Sequence, residues 1–234
     1  MNKTTWIIIS ALCVIGLGAL IFLTKKDDVN VDGLDPNAIV LSSDGVIGDE
    51  VFGKANSKVI LYEYADFQCP GCAGAHPTTK NIQQLYQNQV AFVYRHFPLT
   101  TAHPNALAAA SAAEAAGRQG KFWEMSDLLF NNQSQWSSAS LDDRGKIFES
   151  YASRLELNID TWKNDQTSKT VQDKISRDRA LGGKKAVDST PSFFVNSSKM
   201  DAEVVNNVIQ NDGSLLMDKI DEALKAVGET PPQR

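Results

Sequence analysis

The sequence predicts an α/β protein with an inserted all-helical block, preceded by an N-terminal transmembrane helix. Three observations carry this expectation. An uncharged run extends from Thr5 to Leu23, a strand, helix, strand order occupies residues 59 to 97, and the stretch 104 to 187 shows only helical patterns before a strand returns at Ser192.

Bulk composition narrows the class before any motif is read. At 234 residues, 42% apolar and 22% charged, the chain suits one domain, or one with a small appendage, and is too apolar for a disordered protein. A net charge of −5 argues against a nucleic-acid binder. Three cysteines cannot build the dense disulfide framework of a small secreted scaffold.

The nineteen residues TWIIISALCVIGLGALIFL are bracketed by Lys3 and by Lys25 and Lys26. As a helix they span roughly 28 Å, close to the ~30 Å hydrocarbon core of a bilayer. The run is longer than a signal-peptide core and ends in Leu-Thr-Lys-Lys without a small-residue cleavage site, so residues 1–26 read as an uncleaved anchor, with a cleaved signal peptide as the alternative. Cys13 follows Leu12 inside the run, which reads as a membrane-buried thiol and not a lipidation site. Beyond the anchor, 20 basic and 28 acidic side chains leave −8. Basic residues flank both ends of the span, so charge leaves its orientation open. Residues 27–45, rich in Asp, Asn, Gly, Pro and Ser, read as a tether.

VILYEYA, residues 59–65, is a β-branched and aromatic run that reads as a buried strand. Residues 72–87 follow with Ile82, Leu85 and Tyr86 at helical spacing, and VAFVYRHF, 90–97, is a second strand. Strand, helix, strand implies a parallel pair with a right-handed crossover. In the helical block, Pro104 precedes ALAAASAAEAA, which ends at Gly117. KFWEMSDLLFNN and LDDRGKIFESYASRLEL each gather apolar residues on one face, and a polar helix from Asp160 to Leu181 closes the block at Gly182 and Gly183. A strand at 192–195 and an amphipathic helix at 214–227 complete the pattern.

Chemistry concentrates at Cys69-Pro70-Gly71-Cys72. A C-x-x-C pair can ligate zinc, clamp a turn or cycle between dithiol and disulfide. Zinc lacks the remaining ligands, since there is no second C-x-x-C and His76, His96 and His103 have no paired spacing. A structural disulfide over so short a loop removes little unfolded-state entropy. Position favours redox chemistry: Cys69 follows a strand and opens a helix, where free N–H groups and the helix dipole stabilise a thiolate. Cys69 is therefore the attacking thiol and Cys72, one turn deeper, the resolving one. Pro70 suits the first helical turn, and Gly71 lets a partner chain approach.

EYADFQCPGCAGAHP, VAFVYRHFPLTTAHPNALAAASAAEAAGRQGKFWEMSDLLF and STPSFFVN together resemble the DsbA-like thiol:disulfide oxidoreductases over about residues 46 to 227. The resemblance implies a thioredoxin-like fold in 46–103 and 188–228, a helical insertion in 104–187 and a short tail, 229–234. It implies a reversible Cys69–Cys72 disulfide and makes Glu63, six residues before Cys69, a buried carboxylate beneath it. Burial raises a carboxylate pKa, which lets Glu63 exchange the proton of Cys72. Pro77 falls where such proteins kink the active-site helix. The Thr190-Pro191 bond is expected cis, against a background near 5% for X-Pro bonds, with the Thr190 backbone, Pro70 and Gly71 meeting an extended substrate. His76 reads as a helix-surface residue, His96 and His103 as structural or solvent-facing, and Asp66 and Gln68 as shaping the site's electrostatics.

The implied activity is introduction of disulfides into exported proteins on the extracytoplasmic, periplasmic side by a membrane-anchored monomer. No cofactor is needed beyond the two sulfurs, and a quinone-linked membrane partner reoxidises the enzyme. The rival enzyme reading is an isomerase or reductase kept reduced by a membrane partner. Isomerases with such sites carry a dimerisation domain, for which 27–45 is too short. A second rival is a non-catalytic thioredoxin-like binding or chaperone module, which makes no use of Glu63 or Pro191.

Overall fold

The computed structural model describes residues 29–234, which contain one compact unit, Val31–Arg234. The expected anchor at 1–26 and Cys13 lie outside the described residues. Among the described residues, no helix is long and apolar enough to cross a membrane.

A five-stranded sheet organises the unit. Its strands are β1 (Glu50–Gly53), β2 (Ile60–Ala65), β3 (Ala91–His96), β4 (Ser192–Val195) and β5 (Ser198–Lys199), in the order β1-β3-β2-β4-β5. β2 and β3 run parallel with Glu63 opposite Tyr94, while β2 and β4 run antiparallel with Glu63 opposite Phe193. The crossover between β2 and β3 is α1 (Pro70–Tyr86), the βαβ unit expected from sequence. α1 continues through Pro77, so that proline does not end the helix.

Alternation along β2 serves both faces of the sheet. Leu61 joins Phe92, Phe193 and Ile82 in a core closed by α8 (Ala202–Ile209) and α9 (Ser214–Ala226). Tyr62 and Tyr64 face the other way, with Val93, Phe97 and Phe194. The insertion comprises α2 (Ala106–Gly117), α3 (Phe122–Asn131), α4 (Gln133–Trp136), α5 (Leu141–Arg154), α6 (Ile159–Gln166) and α7 (Lys169–Lys184). The alanines of α2 let neighbouring helices approach closely, and Met125, Leu129, Trp136, Phe148 and Trp162 fill the space around them. Cys69, Cys72, Phe67 and Tyr94 belong to that same cluster, so the insertion's core runs without a break into the CPGC turn.

Three expectations change. The polar helix over 160–181 is two helices, because Ser168 accepts a bond from the N–H of Val171 and starts α7 afresh. α7 also runs through Gly182 and Gly183 to Lys184: a Cβ on Gly182 would lie 2.7 Å from the Phe97 ring, so glycine here admits a close approach and does not stop the helix. The described part of the tether is docked onto the sheet. Arg95 donates to the carbonyls of Pro36 and Ala38 at 2.7 Å each, and the Tyr62 hydroxyl to that of Asn37 at 2.7 Å. A polar segment with free carbonyls satisfies a buried guanidinium that has few other acceptors. β1, β5 and α4 are too short to show a clear period, whereas α8 is amphipathic, with Val204 and Val208 buried one turn apart behind an Asp201 cap.

Candidate active site

The end of β2 leads through Asp66, Phe67 and Gln68 to Cys69, which is the N-cap of α1 with extended backbone, and Pro70 opens the helix. The Asp66 carboxylate holds this approach rigid. It accepts from the N–H of Gln68 at 2.8 Å, the N–H of Leu99 at 2.9 Å and His103 Nδ1 at 2.7 Å. Gln133, in the insertion, donates from Nε2 to the carbonyls of Phe67 (2.8 Å) and Cys69 (3.0 Å). Gln68 Nε2 reaches the Ser137 carbonyl at 2.6 Å, while its Oε1 accepts from the N–H of Asn105 at 2.6 Å. The insertion therefore braces the turn from the side opposite the sheet.

The two thiols are chemically unequal. Cys72 is fully buried, and burial pushes its thiol well above the ordinary range, helped by the neighbouring Cys69 and Glu63. Cys69 is 8% exposed, and its thiol is lowered to about 5. The hydrogen bond from the Cys72 thiol is the main cause; it outweighs partial burial, and the N–H groups of Cys72 and Gly71 add to it. In the thiol form, Cys69 Sγ donates to the Thr190 carbonyl at 3.3 Å. Both cysteines are free thiols in this structure, the reduced form of the reversible pair.

Glu63 sits on the central strand of the sheet, flanked by β3 and β4, and not at an edge. Loss of hydration raises its carboxyl to about 8. The Thr190–Pro191 peptide is cis. A Cβ on Gly71 would stand 3.4 Å from Pro191 Cδ and 3.7 Å from both Cys69 Sγ and Ile209 Cδ1, which shows how closely Pro191 and α8 approach the turn. Glu63, Cys69, Gly71, Cys72, Thr190 and Pro191 thus converge from one strand, one helix start and one loop. Pro70 is exposed at the same turn.

Other polar residues brace the site. His76 is not a free surface residue, since its ring lies 4.8 Å from that of Phe130 and bonds Asp127 at 3.0 Å, joining α1 to the insertion. His96 is buried against Glu114 at 2.7 Å. His96, Glu114 and Asp178 lie close enough to ligate an ion, but Lys174 Nζ already neutralises them, 2.5 Å from Asp178 and 3.6 Å from Glu114. Gln133 is the site residue that sequence reasoning missed. It lies sixty-four residues from Cys69 in a helix of four residues, with no motif to mark it.

Comparisons with known proteins agree with this geometry. A family model described as thioredoxin matches residues 46–211. The chain is 37% identical over 171 residues to the Na(+)/H(+) antiporter NhaA 3 of Salinispora tropica, covering 69% of this chain and 25% of that protein. It is 38% identical over 151 residues to NhaA 1 of Salinispora arenicola, covering 64% and 22%. The chain therefore spans about a quarter of the length of the curated relatives it matches. Among solved structures it is similar to a thioredoxin-like oxidoreductase from Silicibacter pomeroyi, with TM-score 0.62, 26% identity, and 84% of this chain and 98% of that one covered. It is also similar to alpha-DsbA1 of Wolbachia pipientis, with TM-score 0.63, 25% identity and coverage of 77% and 93%. BdbD of Bacillus subtilis shares the fold at TM-score 0.64 and 20% identity, with 79% and 95% covered.

Proposed function

The chain belongs to the thioredoxin family, among the DsbA-like thiol:disulfide oxidoreductases, and from that premise we propose that it introduces disulfide bonds into exported proteins. The observation that carries the reading is the inequality of the two thiols, with Cys69 lowered to about 5 and Cys72 buried and raised. A sulfur that is comfortable as a thiolate is a good leaving group and stabilises the reduced form, which makes the oxidised form a strong oxidant.

In the forward reaction a substrate thiolate attacks Cys69 of the Cys69–Cys72 disulfide. One S–S bond forms to Cys69, the bond to Cys72 breaks, and the Cys72 thiolate takes a proton from Glu63. A second substrate thiolate then attacks the substrate sulfur of the mixed disulfide and expels Cys69 as a thiolate. The substrate leaves with its disulfide, oxidised by two electrons, and the enzyme holds the dithiol. Thr190 and Pro191 offer an extended backbone beside Cys69 for the substrate chain.

The active domain stands outside the cytoplasm on an N-terminal membrane anchor and works as a monomer. A quinone-linked membrane protein reoxidises it. A Cys72→Ala chain, expressed at full length, accumulates mixed disulfides with exported proteins through Cys69. The wild-type pair has a potential well above thioredoxin's ~−270 mV. A potential at or below that value would refute the oxidase role in favour of a reductase, and absence of mixed disulfides would refute exchange chemistry altogether.

A further inference from the structure

The peptide between Cys69 and Pro70 offers a single polar handle. Proline has no N–H, so this peptide is held in place only through its carbonyl oxygen. That oxygen has two lone pairs, and both are taken. The N–H of Ala73 donates to it at 3.1 Å, as the first bond of α1, and Gln133 Nε2 at 3.0 Å. The second hydrogen of the same amide goes to the Phe67 carbonyl at 2.8 Å, which lies past the end of β2. The Gln68–Cys69 peptide in between is tied by the N–H of Cys69 to the Asp66 carbonyl at 3.0 Å. Three successive peptides leading into the helix are therefore fixed, two of them by one side chain of the insertion.

That side chain stands on a platform that does not depend on it. Gln133 is half-buried, and the fully buried Trp136, three residues on, anchors α4 by donating from Nε1 to the Leu129 carbonyl at 2.9 Å. Asn105 Nδ2 holds the following loop through the carbonyls of Trp136 (3.2 Å), Ser137 (3.2 Å) and Ala139 (3.1 Å).

We propose that Gln133 is a positioning residue for Cys69: its amide fixes the backbone of the helix N-cap so that Sγ stays within reach of the Cys72 thiol and of the N–H groups of Gly71 and Cys72. The role rests on the reading of Cys69 as the attacking thiol. Hydrogen bonds weaken steeply as their angle closes, so contacts that meet at one sulfur are lost together when the peptide beneath it turns. A misplacement of about 1 Å at a reacting atom costs on the order of 10²-fold in rate.

The experiment compares the full-length chain with Gln133→Met, which keeps the length of the side chain and removes the donor. Gln119→Met is the control. Its amide also joins two segments of the insertion, donating to the Asn158 carbonyl at 3.2 Å and accepting from the Asn158 N–H at 2.9 Å, but just past the C-terminal end of α2, whereas the turn meets the N-terminal end at Asn105. Thiolate absorbance of Cys69, the reduction potential and the thermal melt are read for each protein. In Gln133→Met the thiolate midpoint rises by about one pH unit, and at pH 7 the dithiol becomes about tenfold easier to oxidise, equivalent to a potential about 30 mV lower. Gln119→Met lowers the melt and moves neither midpoint nor potential. Gln133→Lys returns a donor to the same carbonyls and brings the midpoint back to the wild-type value or below.

A Gln133→Met protein whose melt falls while its midpoint and potential stay put overturns the proposal and leaves Gln133 a purely structural contact. A shift of equal size in Gln119→Met overturns it as well. If Gln133→Met does not fold, Gln133→Lys decides: a midpoint at or below wild type supports the role, and a raised one overturns it. A wild-type chain with no exchange activity refutes the proposed function, while the absorbance midpoint, which needs no substrate, still decides the role of Gln133.

Discussion

Replacing Glu63 by Gln removes a carboxyl whose burial favours its protonated form in the folded state, and the effect on stability is calculable. The group's pKa rises from 4.5 in the unfolded chain to about 8 when folded. A raised carboxyl pKa leaves stability at its full value below pH 4.5 and erodes it as pH rises toward 8, because the unfolded chain gains by ionising and the folded one does not. At 1.36 kcal/mol per pH unit, the loss is about 3 kcal/mol at pH 7 and levels off near about 5 kcal/mol above pH 8. Glutamine has the same shape and no proton to lose, so Glu63→Gln escapes that loss. Both amide and acid bury a polar group, a cost common to every pH, so the informative quantity is the change in the stability difference with pH. Urea unfolding of both reduced proteins at pH 4, 7 and 9 measures it. The Gln variant is expected to gain on wild type by about 3 kcal/mol between pH 4 and pH 7 and by another 1 to 2 kcal/mol by pH 9. A stability difference that does not move with pH would refute the reasoning, because it would mean that Glu63 is hydrated or paired in the folded protein. The same variant exchanges disulfides 10²-fold or more slowly if Glu63 handles the Cys72 proton, on the order expected for a lost acid-base group.

Three further outcomes follow from single contacts. Thiolate absorbance of Cys69 titrates with a midpoint near about 5, and in Cys72→Ala it moves up, because the bond from the Cys72 thiol is the largest cause of the lowering; an unmoved midpoint would assign the lowering to the helix N-terminus instead. Gly182→Ala places a methyl group 2.7 Å from the Phe97 ring and costs about 1 to 3 kcal/mol in urea unfolding, although alanine is the better helix former. Lys174→Met leaves Asp178 and Glu114 without their buried ammonium and destabilises by about 3 to 5 kcal/mol, read as a lowered urea midpoint at unchanged slope.

Much of the site was legible because local physics places it. A cysteine that follows a buried strand and opens a helix must face free N–H groups, whatever packs around it, so the placement of Cys69 at the helix start could be read from CPGC and its flanking pattern. The role of Glu63 needed more. An acidic residue inside ILYEYA fits an edge strand as well as a central one, and only its pairing with both Tyr94 and Phe193 buries it. The tether was misread for a similar reason. Its composition is that of a solvated linker, but a polar backbone can also serve a buried cation, and Arg95 lies forty-six residues from the Asp49 it pairs with.

The sequence by itself determined the βαβ unit, the all-helical character of 104–187, and which cysteine opens the helix. These depend on periodicity, on caps and on neighbours within a few residues. Tertiary structure alone decided the degree to which the two thiols differ, the brace from Gln133, and the reading of Gly182 as a packing contact and not a helix stop. Each of those depends on burial or on contact between residues far apart in the chain, and desolvation has no signature in a local pattern.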